Sequence, residues 1–150
     1  MIDKDEYFQR EALKEAKLAY EEDEVPIGAV IACNDQLIAK AHNQTERLQD
    51  VTAHAEMIAI TSASNGLGSK YLSECVLYVT LEPCLMCASA IRWAQVSRVV
   101  FGADDTKCGY NRYGSGILPP KLTINKGLLA GECGELLTDF FQSKRGKESY

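Results

Sequence analysis

Histidine and cysteine side chains whose chemistry suits a metal site fall in two short segments of the 150-residue chain, at positions 54–56 and 83–87. Imidazole nitrogen and thiolate sulfur are ligands that zinc prefers, and three protein ligands leave the fourth tetrahedral position to water, as in catalytic sites. Cys84 and Cys87 are three residues apart, so they share one face of a predicted helix. The sequence therefore predicts that His54, Cys84 and Cys87 hold one Zn²⁺ ion.

Glu56 lies two residues beyond His54, close enough to reach a metal-bound water without binding the metal. Its carboxylate could take a proton from that water and pass it to a ring nitrogen and a leaving amine, since bound zinc lowers the pKa of water to about 7. His-x-Glu followed by Pro-Cys-x-x-Cys is the signature of zinc-dependent deaminases. We therefore expect hydrolytic deamination, with Glu56 as the catalytic proton shuttle.

Either motif alone has other interpretations. A lone Cys-x-x-Cys could be redox-active or buried, and a structural zinc site would need a fourth ligand. The candidates for that ligand are Cys33, Cys75, Cys108, Cys133 and His42. None is paired with another candidate at ligand spacing, so we expect the four cysteines to be core or surface residues. The rival from another functional class is a non-catalytic zinc domain that binds RNA, which would not require Glu56.

Hydrophobic periodicity and turn residues predict the elements that position these motifs. In chain order they are a helix over 3–22, strands over 27–33 and 37–41, a helix over 53–64, a strand over 75–81, a helix over 83–95, strands over 97–103 and 122–125, and a helix over 131–145. Thr52 is a candidate cap for the second helix, and Pro83 is a tolerated first-turn residue of the third. The glycine- and proline-rich residues 104–120 are predicted to form a long loop.

A hairpin followed by alternating strands and helices predicts an α/β fold in which helices cover both faces of a mixed sheet. With these elements, the expected architecture is a three-layer α/β/α fold with a central mixed five-stranded sheet. No repeat, linker or low-complexity tract interrupts the chain, so we expect one domain over residues 1–150. Ligands in such folds tend to sit where strand ends meet helix N-termini, and both motifs fall at such places.

Composition and charge restrict the class of protein, its location and its partners. The 46% hydrophobic and 25% charged residues are ordinary for a soluble domain. The charged N-terminus has no signal-peptide core and no apolar run approaches membrane-spanning length, so we expect a cytoplasmic protein with no membrane partner and no disulfide framework. The net charge of −5 counts against a broad nucleic-acid footprint. Lys144 and Arg145 leave a local basic edge, and the acidic first helix is expected to present a solvated face.

The sequence resembles the tRNA-specific adenosine deaminases of bacteria, members of the cytidine deaminase-like superfamily, nearly from end to end. The strongest stretches are 24–30 (Glu-Val-Pro-Ile-Gly-Ala-Val), 52–56 (Thr-Ala-His-Ala-Glu), 77–84 (Leu-Tyr-Val-Thr-Leu-Glu-Pro-Cys), 99–103 (Val-Val-Phe-Gly-Ala) and the tail 139–141 (Asp-Phe-Phe) with Lys144-Arg145. The zinc motif is common to the superfamily. The Glu-Val-Pro segment and the Asp-Phe-Phe tail favour the tRNA enzymes over their relatives.

This resemblance implies a homodimer that converts adenosine to inosine at the wobble position of tRNA, with the active site near the subunit interface. It also implies substrate contacts in three places. Asn43 would hydrogen-bond the flipped base, and the Ala55 backbone and Glu82-Pro83 would frame its pocket. Asp105 and Lys107 would lie near the target nucleotide. The contacts implied with the anticodon loop come from Phe141, Lys144 and Arg145.

The chain departs from this family after Lys107. Cys108-Gly109-Tyr110 stands where the bacterial enzymes often show Thr-Gly-Ala, and the 104–120 loop is shorter. The nearest rival function is therefore a deaminase of free guanine, cytosine or a nucleoside, which would seal its pocket, whereas a tRNA enzyme leaves a groove open for the flipped nucleotide.

Three aromatic residues give further expectations. Phe140 and Phe141 are adjacent on the last predicted helix, so at most one of them packs inward comfortably. The outward ring would contact a nucleobase or another protein surface. Trp93 is expected in the core or at a dimer interface.

Overall fold

The computed structural model describes residues 3–145, with the Arg145 side chain outside the described part. Four α-helices, five strands and one short 3-10 helix follow the predicted order. They are α1 (Lys4–Glu21), β1 (Gly28–Cys33), β2 (Gln36–His42), α2 (Ala55–Leu67), β3 (Cys75–Leu81), α3 (Leu85–Ala94), β4 (Arg98–Ala103), the 3-10 helix (Tyr110–Tyr113), β5 (Thr123–Lys126) and α4 (Ala130–Arg145).

The five strands form one mixed sheet in the order β2-β1-β3-β4-β5. β1 runs antiparallel to both of its neighbours, β2 and β3, whereas β4 runs parallel to both of its neighbours, β3 and β5. Successive β1 residues point to opposite faces, so Ile31 packs in the cluster that contains α2 and α3 residues, and Val30 packs in the cluster that contains α1 residues. α4 joins α1 on its side of the sheet. The predicted three-layer α/β/α fold is confirmed.

α1 lies against the sheet at close range because β1 begins with glycine. A Cβ atom at Gly28 would overlap the Ala12 carbonyl oxygen and lie 2.5 Å from the Ala16 backbone nitrogen. Any larger residue would therefore force α1 away from the strand. At its start, α1 is capped by Asp3, whose carboxylate accepts the Asp5 amide at 2.9 Å.

The expectation of a solvated acidic face on α1 is wrong in part. Glu11 is only 9% exposed and pairs with Lys14 and Lys40. Asp5 is half-buried and holds the Arg98 guanidinium, and the hydrogen bond from Arg98 lowers the pKa of the Asp5 carboxyl more than burial raises it. These carboxylates therefore fasten α1 to β2 and β4.

Two helices begin later than the sequence predicts. α2 starts at Ala55 with His54 as its N-cap, whereas the Thr52 hydroxyl donates to Asp50 at 2.7 Å instead of capping the helix. α3 starts at Leu85 with Cys84 as its N-cap, so Pro83 precedes the cap instead of occupying the first turn. Consequently, two of the predicted metal ligands are N-cap residues.

Other expectations about single side chains have mixed outcomes. Trp93 is 80% exposed, so its placement in the core is wrong. Phe140 is buried while Phe141 is 43% exposed, as expected for adjacent residues on α4. Of the cysteines outside the two motifs, Cys75 and Cys133 are buried and Cys108 is exposed, as predicted for core and surface residues.

None of the helices within residues 3–145 is long and apolar enough to span a membrane.

Candidate active site and metal centre

The three predicted metal ligands meet at the N-terminal ends of α2 and α3. His54 Nδ1 lies 3.6 Å from Cys84 Sγ and 3.5 Å from Cys87 Sγ. The ligand atoms of the three residues lie within 4.8 Å of one another, and no other such group of histidine, cysteine and acidic residues occurs in the described part of the chain. The fold thus brings together residues that are thirty and more positions apart in the sequence.

The chemistry of this cluster fits zinc. The hydrogen bond from Cys87 and that from His54 outweigh burial and lower the pKa of the Cys84 thiol to about 4, so Cys84 is a thiolate at neutral pH. The same neighbouring thiolate, together with burial, raises the pKa of Cys87. A divalent cation in place of the shared proton would let both sulfurs bind as thiolates, the form that ligates metal. Two sulfurs and one imidazole leave one tetrahedral position for an exogenous ligand.

Glu56 lies in the first turn of α2, beside this cluster and outside it. The residue is 4% exposed, and burial raises the pKa of its carboxyl to about 7. A carboxyl with a pKa near the working pH can both accept and donate a proton, which is the property of a general acid–base catalyst. The structure therefore places a buried carboxyl next to the candidate metal ligands, and its role as a proton carrier stays a prediction.

Asn43 joins the end of β2 to the start of α2. Its side chain is buried, and Oδ1 accepts the Ala55 backbone N–H at 2.8 Å. That N–H is one of the first-turn donors that have no partner within a helix. Asn43 and Ala55 thus stand directly beside His54 and Glu56, and the contact of Asn43 with a substrate base stays a prediction.

Glu24 is a buried residue whose role the sequence did not reveal. It is 1% exposed, and its carboxylate accepts the backbone N–H groups of Glu46 at 3.1 Å and Arg47 at 2.7 Å. These hydrogen bonds hold the loop that follows Asn43. Glu24 stands in an acidic run at the end of α1, and only its place before Val25-Pro26 could have distinguished it from surface carboxylates.

The loop after β4 packs against Pro83 and the candidate metal ligand Cys84. The Tyr110 N–H donates to the Pro83 carbonyl at 2.9 Å, and Gly109 pairs with Cys84 in an isolated β-bridge. Asp105 uses Oδ1 to accept the backbone N–H groups of Lys107 and Cys108, both at 3.1 Å. In this arrangement Asp105 shapes the loop and the Lys107 side chain is exposed.

The three predicted anticodon-loop contacts lie on α4, in the layer opposite α2 and α3. Phe141 packs its exposed ring edge-on against Phe140, and Lys144 forms an ion pair with Asp23 at 2.6 Å. The backbone of Arg145 ends α4. The structure does not place these residues in the metal cluster, and their contact with RNA stays a prediction.

Comparisons with known proteins agree with this geometry. Residues 2–103, which include all four residues of the two motifs, match the family described as the cytidine and deoxycytidylate deaminase zinc-binding region. The chain is 45% identical to the tRNA-specific adenosine deaminase of Aquifex aeolicus over 145 residues, which cover 93% of this chain and 95% of that protein. It is also 45% identical to that of Bacillus subtilis over 149 residues, covering 96% and 92% respectively. The chain belongs to the tRNA-specific adenosine deaminases.

Solved structures show the same relationship. A structure from a study of A-to-I editing by tRNA:A34 deaminases at the wobble position superposes on this deaminase with a TM-score of 0.82 and 42% identity, covering 87% of this chain and 99% of the other. Guanine deaminase from Nitrosomonas europaea superposes with a TM-score of 0.77 and 25% identity, covering 90% and 83%. Since both superpose closely, the fold alone does not separate the two substrates.

Proposed function

We propose that this deaminase converts adenosine to inosine at the wobble position of a tRNA anticodon loop. The observation that carries the proposal is the cluster of His54, Cys84 and Cys87 beside the buried carboxyl of Glu56. It occurs in a chain whose relatives at 45% identity are tRNA-specific adenosine deaminases. A tRNA substrate also fits the cytoplasmic location that the sequence predicts.

His54, Cys84 and Cys87 would hold one Zn²⁺ per subunit. When bound, zinc lowers the pKa of a coordinated water to about 7 and so supplies the nucleophile at neutral pH. Glu56 takes the proton of the attacking water and delivers it to a ring nitrogen of adenine. As the water oxygen bonds to C6, its second proton is also taken by Glu56 and passed to the amine on C6, so that the C6–N bond breaks, ammonia departs and the oxygen remains on C6 of inosine. Burial suits Glu56 to both transfers because the pKa of its carboxyl is about 7.

The remaining predicted contacts would hold the RNA. Asn43, Ala55 and Pro83 would frame the flipped base, while Asp105 and Lys107 would border its nucleotide. An aromatic ring stacked on an unpaired base contributes about 1–3 kcal/mol, and the exposed ring of Phe141 suits this role.

Lys144 and Arg145 would meet the backbone phosphates of the anticodon loop. The ion pair of Lys144 with Asp23 joins a half-buried lysine to a mostly exposed aspartate. Pairs open to solvent contribute about 0–1 kcal/mol, so an RNA phosphate could displace the carboxylate at small cost.

An activity panel tests the substrate assignment. The zinc-loaded protein is incubated with an anticodon stem-loop that carries adenosine at the wobble position, and separately with free adenosine, adenine, guanine, cytosine and cytidine. We expect turnover of the stem-loop alone, measured as inosine after digestion and as released ammonia. A stem-loop with its one adenosine moved into the paired stem is the matched control. Turnover confined to free bases would reject the tRNA assignment and leave the zinc chemistry intact.

We also propose that the protein is a homodimer with the active site near the interface. Large apolar residues are exposed in α2, α3 and the loops that adjoin them, namely Leu48, Val51, Leu67, Tyr71, Leu85 and Trp93. Trp93 is 80% exposed on the helix that starts at the metal ligands. A second copy covering this side would bury these rings and aliphatic groups.

Trp93→Glu tests the dimer. We expect light scattering to give twice the chain mass for the wild type and the mass of one chain for this variant, because the substitution places a charge in the apolar centre of the interface. Leu18→Glu is the matched control, since Leu18 is exposed on α1 in the opposite layer. A wild type with the mass of one chain would contradict the proposal.

A further inference from the structure

We infer that Glu82 is a positioning residue whose buried carboxylate fixes residues 105–111, called here the site loop, against the metal ligands. The inference rests on the proposed function, because it assigns the site loop to the binding of the target nucleotide. Glu82 follows β3 directly and is 4% exposed. Its backbone N–H donates to the Ala103 carbonyl at 2.8 Å, so the main chain of Glu82 is held to the end of β4.

One carboxylate holds both ends of the site loop. Glu82 Oε1 accepts the Asp105 backbone N–H at 3.0 Å, and Oε2 accepts the Asn111 backbone N–H at 3.0 Å. Hydrogen bonds from backbone N–H to a carboxylate are charge-assisted and are stronger than those between neutral groups. The two bonds therefore act as a clamp that sets the span of the loop.

The middle of the site loop packs closely against the Glu82 side chain. A Cβ atom at Gly109 would overlap the Glu82 carboxylate and lie 2.5 Å from the Asp105 carbonyl oxygen. Because Gly109 has no side chain, its backbone can pair with Cys84, and the Tyr110 N–H can reach the Pro83 carbonyl. Glu82 thus determines how closely the loop approaches a candidate zinc ligand.

The environment of Glu82 favours this positioning role over a purely structural one. No lysine, arginine or histidine side chain that the structure describes forms an ion pair with Glu82. Burying an unpaired carboxylate is costly unless hydrogen bonds compensate, and both compensating donors belong to the site loop. Tyr110 packs in the core, edge-on against Phe101, whereas Lys107, Cys108 and Asn111 are exposed. The Glu82 carboxylate therefore holds the two ends of the loop, and packing of Tyr110 holds only one point within it.

Glu24 performs the same task on the other side of the site. Its buried carboxylate accepts the Glu46 and Arg47 backbone N–H groups in the loop after Asn43. Two buried carboxylates therefore hold the two loops that flank Glu56 and the metal ligands. This repeated arrangement indicates that loop position matters to what binds between them.

The test compares Glu82→Ala, Glu82→Gln and Gly109→Ala with the wild type, all loaded with zinc. Four quantities are measured: zinc content, kcat and KM on the wobble stem-loop, and amide hydrogen exchange of peptides covering 104–113. Gly109→Ala displaces the loop while leaving the carboxylate intact, and so keeps the inference testable if Glu82→Ala does not fold. Glu11→Gln is the control, because it removes a carboxylate of similar burial on α1.

We expect zinc content to be unchanged and exchange to rise in 104–113 while β3 and β4 stay protected. KM should rise about tenfold or more in Glu82→Ala, with a smaller fall in kcat, since two charge-assisted hydrogen bonds are lost. Glu82→Gln keeps one acceptor oxygen and should lie between Glu82→Ala and the wild type. Gly109→Ala should reproduce the exchange pattern and the rise in KM, and Glu11→Gln should show neither.

Unchanged exchange in 104–113, or an unchanged KM in a folded Glu82→Ala, would overturn the inference. So would exchange that rises evenly over the whole chain with no separation of KM from kcat. A wild type inactive on the stem-loop would instead refute the proposed function. In that case the exchange measurement still decides whether Glu82 anchors the loop, and KM is measured on the panel substrate that does turn over.

Discussion

Glu56→Ala is expected to lower the rate of stem-loop deamination by about 10²–10⁴-fold, the usual contribution of a general acid–base group. The variant loses the group that takes a proton from the attacking water and returns it to the substrate. The effect should fall on the chemical step, so a single-turnover rate measured with excess enzyme is the appropriate readout. Glu56→Gln should lose as much activity, because its amide can form hydrogen bonds but cannot carry the proton.

Zinc content and fold should survive the Glu56 substitutions. The carboxyl is not among the three ligand groups, and its burial is unfavourable to the charged form, as its raised pKa indicates. Ser62→Ala, on the exposed side of the same helix, is the control. Zinc is measured by mass spectrometry and unfolding by circular dichroism. Normal turnover by a zinc-loaded Glu56→Ala would eliminate the proposed mechanism.

The helix starts show where sequence patterns stop being informative. Thr52 is a good cap by type, but its hydroxyl is already used by Asp50, and the helix begins two residues further on, after His54. Pro83 suits a first turn by type, but its carbonyl accepts the Tyr110 N–H, and Cys84 pairs with Gly109. At the start of α3, contacts with residues more than twenty positions away thus decide between acceptable local choices. At the start of α2, a hydrogen bond within the preceding turn does so.

The buried carboxylates show a second limit. The zinc motif was visible in the sequence because metal ligation demands particular residue types at particular spacings. Glu24 and Glu82 hold loops through backbone N–H groups, which every residue except proline provides, so no residue type in the partner segment reveals the contact. Their roles could be recognised only once the fold had placed the loops beside them.

The alternation of strands and helices was the more reliable part of the prediction. Five strands and four α-helices occur where the hydrophobic periodicity places them, because burial on one or both faces of a sheet constrains many positions at once. Trp93 lies in a helix that was predicted, yet its side chain is 80% exposed despite its apolar character. A single chain cannot bury a residue whose partner is another molecule, and the proposed dimer would account for it.

Loss of the metal is the second large effect expected. Cys84→Ser should lose zinc and lower deamination by about 10³-fold or more, because nothing else in the site supplies the nucleophile at neutral pH. Cys108→Ser is the matched control, since Cys108 is an exposed cysteine on the site loop, one residue from the partner of Cys84. Zinc per chain, stem-loop turnover and thermal unfolding are measured on both variants and on chelated wild type.

The protein should stay folded when zinc is removed. The two hydrophobic clusters on the faces of the sheet draw on every layer and do not depend on the ligand residues, unlike small zinc domains that unfold without their ion. Chelation should therefore abolish activity, leave a cooperative unfolding transition at somewhat lower temperature, and be reversed by added Zn²⁺. Retention of zinc and activity by Cys84→Ser would remove this residue from the ligand set. Equal losses of zinc and of turnover in Cys108→Ser would indicate that the metal is bound by the site loop.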